Sequence, residues 1–409
     1  LENALDVLKE RGFVEQVTDE EHLRQEFEQR VTAYIGFDPT ANSLHVGSLL
    51  PIMSLAHLQR CGNQPISLVG GGTGLVGDPS GKTEMRKILT YEQIEENSQG
   101  LKKQLSRYLD FSDDRALMLN NADWLTKLNY IEFLRDIGRH FSVNRMLAAE
   151  SYRIRMETGL NFIEFNYMLL QAYDFWHLYH YHGCKLQMGG NDQWGNIVAG
   201  IDLIRRLDQG EAYALTFPLI TTSSGQKMGK THAGAVWLDP ELTSPYEFYQ
   251  YWINTDDADV ERFLALFTFL PMEEVREYGK LQGADLREAK ERLAFEATSI
   301  THGQEEAVKA RQASRDLFTH GGAGADGMPT SALSSRELEP GIPAFALFCQ
   351  VDLARSRGEA RRLIDQGGAY INNDRVENYD QLVTLAHVKD GVILLRAGKK
   401  KYHRIEVSA

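Results

Sequence analysis

Two lysines three residues apart, Lys227 and Lys230, stand among small residues in the segment TSSGQKMGKT (222–231). Lysine is a flexible point charge suited to polyphosphate oxygens. A loop carrying two can neutralise charge developing on a departing pyrophosphate. Standing alone, the same residues also describe a solvated basic loop. Upstream, PTANSLHVGS (39–48) follows a candidate strand and opens a candidate helix. A helix start after a parallel strand offers free N–H groups and a favourable dipole to an anion. His45 and Ser48 face the same way at that end, and Gly47 between them leaves room for a flat base or a ribose. A lone H-x-G-x turn is equally a routine strand-to-helix connection. Just before it, Tyr34, Gly36 and Asp38 share one strand face, while Ile35 and Phe37 point to the core. Gly36 would let a ligand approach the backbone closely.

A second constellation lies on the segment NYMLLQAYDFWHLY (166–179). Tyr167, Gln171 and Asp174 fall at i, i+4 and i+7, one stripe of a helix whose other residues are mainly apolar. A polar stripe on a buried helix must find partners, either within the protein or in a polar pocket. His177, His180, His182 and Cys184 follow, but nothing supplies a closed four-ligand set, so no metal site is expected. The run VGGGTGLVGDPSGK (69–82) looks like a phosphate loop and fails the pattern by one residue. Val76 stands where the first glycine is needed, and Pro79 and Gly81 would interrupt the helix.

These residues need elements to hold them. Candidate strands at 31–38, 65–71, 116–120, 184–189 and 217–221 alternate with helical patterns such as 46–60 and 91–109. That alternation predicts an α/β fold, a Rossmann-like doubly wound parallel sheet, over residues 1–221. A long helical stretch at about 123–182 reads as an insertion between the halves of the sheet. Residues 222–319 read as the lysine loop followed by a helical domain, 320–340 as a Gly/Ala/Ser-rich linker, and 341–409 as a small α/β unit. Net charge is −13, yet residues 345–409 carry 11 Lys+Arg against 8 Asp+Glu. The sign of the tail fits either nucleic-acid contact or a solvated surface. Three isolated cysteines, no apolar run long enough for a bilayer and no signal-peptide core at 1–13 point to the cytoplasm.

Together, Phe37-Asp38-Pro39-Thr40 running into His45-Val46-Gly47-Ser48, and Lys227-Met228-Gly229-Lys230-Thr231, resemble the HIGH and KMSKS signatures of class I aminoacyl-tRNA synthetases. They stand in that family's order, 182 residues apart. The stripe at 167–174 is similar to that of the tyrosyl members. The resemblance implies that Tyr167, Gln171 and Asp78 bind the amino group of tyrosine, and that Asp174 and Tyr34 receive its phenol. It places Gln187 in the pocket, Gln193 near the carboxylate and Asp192 on the ATP ribose, with Gly36, Asp38, Gly47 and Ser48 around ATP. Thr40, His45, Lys82, Arg86, Lys227 and Lys230 fall to the phosphates. ATP is implied as a substrate with Mg²⁺ and without a dedicated protein cage.

Two sequence departures stand out: Ser48 replaces the second histidine of HIGH, and Gly229 and Thr231 replace both serines of KMSKS. The tail DLARSRGEARRLI (352–364) resembles an S4 RNA-binding domain, with Arg355, Arg357, Arg361 and Arg362 toward RNA. The implied partners are tyrosine, ATP and tRNA(Tyr). A homodimer through the insertion near Phe162 is implied as well, with one tRNA bridging two subunits. A tryptophanyl relative, a non-catalytic S4-type RNA-binding protein and another Rossmann-like nucleotidyltransferase remain as alternatives.

Overall fold

Apolar runs bounded by Gly, Pro and Asn become buried parallel strands, as expected where both faces of a sheet are covered. The computed structural model describes residues 2–80, 89–225, 228–231, 234–320, 329–372, 374–389, 391–398 and 401–408. Six strands form the main sheet: β1 (Gln16–Val17), β2 (Thr32–Phe37), β3 (Gln64–Val69), β4 (Leu117–Asn120), β5 (Cys184–Gly190) and β6 (Tyr213–Phe217). Their order is β1-β6-β5-β2-β3-β4, and all but the short antiparallel β1 are parallel. The winding reverses between β2 and β5, the position at which such sheets open a crevice beyond their strand ends. One expected strand is displaced. Residues 217–221 were expected to be extended, but β6 ends at Phe217 because Pro218 cannot donate to a ladder.

Pro51 is accommodated for a positional reason. The helix Leu49–Arg60 begins two residues before it, so the missing N–H falls in the first turn, where no intrahelical partner exists. The insertion between β4 and β5 is helical, running from Ala122–Leu125 through Tyr130–Asp136, Val143–Leu147, Glu150–Thr158 and Phe162–Phe165 to Tyr167–His182. Arg155 and Glu164 form a buried ion pair at 2.8 Å that ties two of these helices together.

The chain divides into two compact units, and the division departs from the expected boundaries. One unit comprises Leu1–Asp239 with Asp256–Leu281, the other Pro240–Thr255 with Gln282–Ala409. The segment 256–281 joins the sheet unit because the buried Arg11 guanidinium donates to the carbonyls of Ala265, Thr268 and Leu270 at 2.9, 3.3 and 2.6 Å. In the second unit, helices Pro245–Ile253, Leu286–His302 and Gln304–His320 accompany a five-stranded sheet. Part of the expected linker belongs to that sheet, because Thr330–Ser334 pairs in parallel with Lys401–Ser408. Tyr246, Ala313 and Leu394 form a buried cluster with Tyr402 against it, so helices and strands of this unit share a core.

Candidate functional site

The site builds up from the carboxyl ends of β2, β4 and β5. Tyr34 on β2 lies opposite Gln187 on β5, the two strands flanking the reversal. Both are buried, at 1% and 3% exposure, and the Tyr34 hydroxyl and Gln187 Oε1 have no hydrogen-bond partner among the described residues. Where two such atoms belong to residues opposite each other at the sheet's reversal, a ligand's polar group can complete the set. Beside them, the fully enclosed Asp174 carboxylate accepts from Asn121 Nδ2 at 2.8 Å and from Trp124 Nε1 at 2.7 Å. Burial pushes Asp174 up to about 7, against those two donors, with the Asp38 charge adding to the rise. Burial also pushes the Tyr34 phenol well above its usual range, reinforced by the Asp174 charge.

A second polar group gathers around Tyr167, at the start of the helix Tyr167–His182. Tyr167 donates to Asp38 Oδ2 at 3.2 Å, and Thr73 donates to Asp38 Oδ1 at 3.1 Å. Gln193 Nε2 donates to Asp78 Oδ2 at 2.8 Å, and the Ser80 N–H donates to Asp78 Oδ1 at 2.9 Å. Asn196 Nδ2 lies 3.0 Å from Gln171 Oε1 and 3.3 Å from Gln193 Oε1. Gln171 is thereby connected to Asp78 through two amides. Burial and the Asp38 charge together raise Asp78 to about 6, against the Ser80 and Gln193 hydrogen bonds. Three carboxylates thus share one partly enclosed region, an arrangement that favours a cationic ligand group.

The residues that the resemblance places toward ATP sit where β2 ends and after β5. Gly36 is exposed, and a Cβ there would meet nothing within 4 Å, so its backbone is open to close approach. His45 Nδ1 accepts the Gly47 N–H at 3.0 Å, and Ser48 donates its N–H to the His45 carbonyl at 2.7 Å. The Ser48 side chain makes no capping bond to the helix behind it. Thr40 is exposed beside this turn and Asp192 is exposed after β5. Gln193 Nε2 also reaches Asp192 Oδ2, at 3.1 Å.

The far end of the lysine loop lies on the same turn. Val46 donates its N–H to Val236 O, and Val236 donates its own to Gly229 O. Gly229 has φ +83°, and a Cβ there would lie 2.6 Å from the Gly47 nitrogen, so a serine at this motif position does not fit this backbone. The phosphate contacts expected of Lys82, Arg86 and Lys227, and of the Lys230 side chain, lie outside the described residues.

Asn121, Trp124, Thr73, Ser80 and Asn196 escaped the sequence reading. Asn121 and Trp124 follow the end of β4, and that position at a strand's carboxyl end was the one available signal. The histidines set aside as ligands have other engagements. His177 stacks on Trp124 at 4.1 Å between ring centroids, and His180 pairs with Asp208 at 2.8 Å. Cys184 is buried in β5. In the tail, Arg355, Arg357, Arg361 and Arg362 are exposed at the start of and along the helix Arg357–Asp365, with Arg361 also lying over the rings of Phe345 and Tyr379.

Known proteins match this sequence over nearly the whole chain. The family described as tRNA synthetases class I (W and Y) matches residues 25–319, and a tyrosine–tRNA ligase SYY-like C-terminal domain matches 322–405. A tyrosine–tRNA ligase of Desulfatibacillum aliphaticivorans is 59% identical across 99% of both chains. One from Desulfosudis oleivorans is 60% identical across 99% of both. Among solved structures, a C-terminally truncated mitochondrial tyrosyl-tRNA synthetase of Aspergillus nidulans superposes with a TM-score of 0.70 at 34% identity, over 78% of this chain and 95% of that one. With these relatives and the geometry at the β2–β5 reversal, the chain belongs to the tyrosine–tRNA ligase family of class I tRNA synthetases.

Proposed function

We propose that this chain activates L-tyrosine with ATP and transfers it to tRNA(Tyr). The tyrosine carboxylate attacks the α-phosphate of ATP, forming the mixed anhydride tyrosyl-adenylate and releasing pyrophosphate. The terminal ribose hydroxyl of the tRNA then takes the tyrosyl group and AMP leaves. The protein acts by positioning and by stabilising charge, with no covalent intermediate on the chain. The observation that carries this reading is the pair of unpartnered buried atoms, Tyr34 Oη and Gln187 Oε1, beside Asp174. A phenolic hydroxyl can donate to Asp174 and pair with Tyr34. Phenylalanine would leave those buried groups unsatisfied, a cost of about 1–3 kcal/mol per group.

Asp78, Gln171 and Tyr167 are assigned to the ammonium group, Gln193 to the carboxylate and Asp192 to the ribose. Gly36, Asp38, Gly47 and Ser48 border ATP, which enters as its Mg²⁺ complex. Thr40, His45, Lys82, Arg86, Lys227 and Lys230 take the phosphates. The C-terminal unit acts as an S4-like RNA-binding domain through Arg355, Arg357, Arg361 and Arg362. Support comes from their exposure and from the match to a tyrosine–tRNA ligase C-terminal domain.

A homodimer through the insertion is supported by exposed Phe162, Met156, Ile131 and Tyr130 at 70, 55, 69 and 60%. Among the described residues no helix is long and apolar enough to cross a membrane, and the cytoplasm is the proposed location.

The matching family covers both W and Y members, but the C-terminal domain match and the relatives are tyrosine–tRNA ligases, which favours tyrosine over tryptophan. Pyrophosphate exchange with each of the twenty amino acids separates the two. Tyrosine alone should drive exchange in the unaltered protein, and Asp174→Ala should erode discrimination against phenylalanine. Exchange driven by tryptophan, or unchanged selectivity in the variant, would count against the assignment.

A further inference from the structure

The stem of the lysine loop is held by two side chains that no motif contains. Asp259 stands at the N-terminus of the helix Val260–Phe267, where an aspartate ordinarily caps its own helix; here it makes no capping bond. Its buried carboxylate instead accepts the Ser223 N–H on Oδ2 at 2.7 Å and the Arg262 guanidinium on Oδ1 at 2.6 Å. The same Arg262 nitrogen donates to the Thr221 carbonyl at 2.5 Å. One backbone donor and one backbone acceptor of the stem are therefore tied to a single ion pair. The Ser223 hydroxyl adds a bond to Asp256 Oδ2 at 3.2 Å.

The helix that offers this pair is itself fixed. Phe263, Leu264, Leu266 and Phe267 are buried, and Arg11 bonds the carbonyls at and beyond its end. Beyond the stem, the chain returns with the Met228 N–H on the Ile220 carbonyl and with Gly229 against Gly47. The loop is thus set at both ends, on the helix at 221–223 and on the His45–Gly47 turn at 229.

We propose that Asp259 and Arg262 are positioning residues for adenylate formation, fixing where the lysine loop leaves the sheet so that it meets the His45–Gly47 turn in one register. The proposal rests on the reading that Lys230 acts on the phosphates of ATP. Forfeiting a helix cap to hold a loop stem is otherwise unexplained by the packing of the helix. Neither residue is among those assigned to tyrosine or ATP, so loss of the pair should slow the chemistry and leave tyrosine binding alone.

The test measures single-turnover adenylate formation, the tyrosine dissociation constant and the melting temperature of the full chain. Asp259→Ala and Arg262→Ala should each lower the rate by roughly 10- to 100-fold, the scale of an ångström-level misplacement. Tyrosine affinity should stay within about twofold, as expected of an interaction realised only in the transition state. Arg262→Lys, which keeps a cation on Asp259, should recover part of the rate. The Arg262 side chain is 43% exposed, so its variants carry the test should Asp259→Ala not fold. Unchanged rates in both variants, or equal losses of rate and tyrosine affinity, would overturn the proposal. Lys230→Ala is the control. A slow Lys230→Ala beside normal clamp variants refutes the clamp alone, whereas a normal Lys230→Ala removes the loop reading and the clamp with it.

Discussion

Asp38, Asp78 and Asp174 set the electrostatics of the pocket. Burial, with the Asp38 charge beside it, raises Asp78 to about 6 from an ordinary 3.8. An acid raised on folding holds a proton that the unfolded chain has already lost. Its contribution to stability is therefore present at low pH and is lost as pH rises between about 4 and about 6. At neutral pH the ionised carboxylate is a destabilising group that an ammonium ion would relieve. Tyrosine should accordingly bind more weakly as pH falls below about 6, by roughly tenfold at pH 5 relative to the high-pH limit. Calorimetry from pH 5 to 8 measures this, and Asp78→Asn should flatten the acid limb while weakening binding at neutral pH. An acid limb unchanged in that variant would place the ammonium elsewhere. Tyr34, Asp38 and Asp174 were legible in the sequence because strand alternation and helical spacing set them on shared faces. Asn121 and Trp124 were not, since they meet Asp174 across 53 and 50 residues with no periodicity linking them.

The strands that carry the site follow local rules, and so does the departure from the signature motif. β2 and β5 were read to within a residue because a mainly apolar run ended at Asp38, and an alternation of Cys184, Leu186 and Met188 ended at glycines. β6 was misplaced because the same kind of run continued past Pro218, whose missing donor ended the ladder. Gly229 was visible as a departure, while its reason was not: the left-handed φ of +83° arises from the contact with Gly47, far away in sequence. Restoring the motif serine should therefore harm the protein. A Cβ in that region costs about 1–2 kcal/mol before the contact with Gly47 is counted. If the loop is seated in the transition state, Gly229→Ser should lose about 5- to 30-fold in pyrophosphate exchange. A rate at or above that of the unaltered protein would mean that the turn is not held in this form during the reaction.

At the scale of the molecule, the proposed tyrosine pocket and the proposed RNA-binding surface fall in different compact units, and the choice of truncation point tests that separation. The charge contrast and the S4-like helix suggested a cut near residue 341. The backbone argues for a cut after 320 instead. Thr330–Ser334 pairs only within the C-terminal sheet, so a cut at 341 would strand it without its partner Lys401–Ser408. The loss would still uncover Tyr246 and Ala313, which pack with Leu394, so some fall in melting temperature is expected. Every residue assigned to tyrosine and ATP lies before residue 231 and outside that unit. Removing 321–409 should leave pyrophosphate exchange within about twofold, since none of the transition-state contacts is lost. Charging at sub-saturating tRNA should fall by at least roughly tenfold, the loss expected from about 1–3 kcal/mol at even one arginine contact. The quadruple substitution of Arg355, Arg357, Arg361 and Arg362 by alanine should lower charging in the same direction with the fold intact. Charging that survives both changes would move tRNA recognition out of the C-terminal unit.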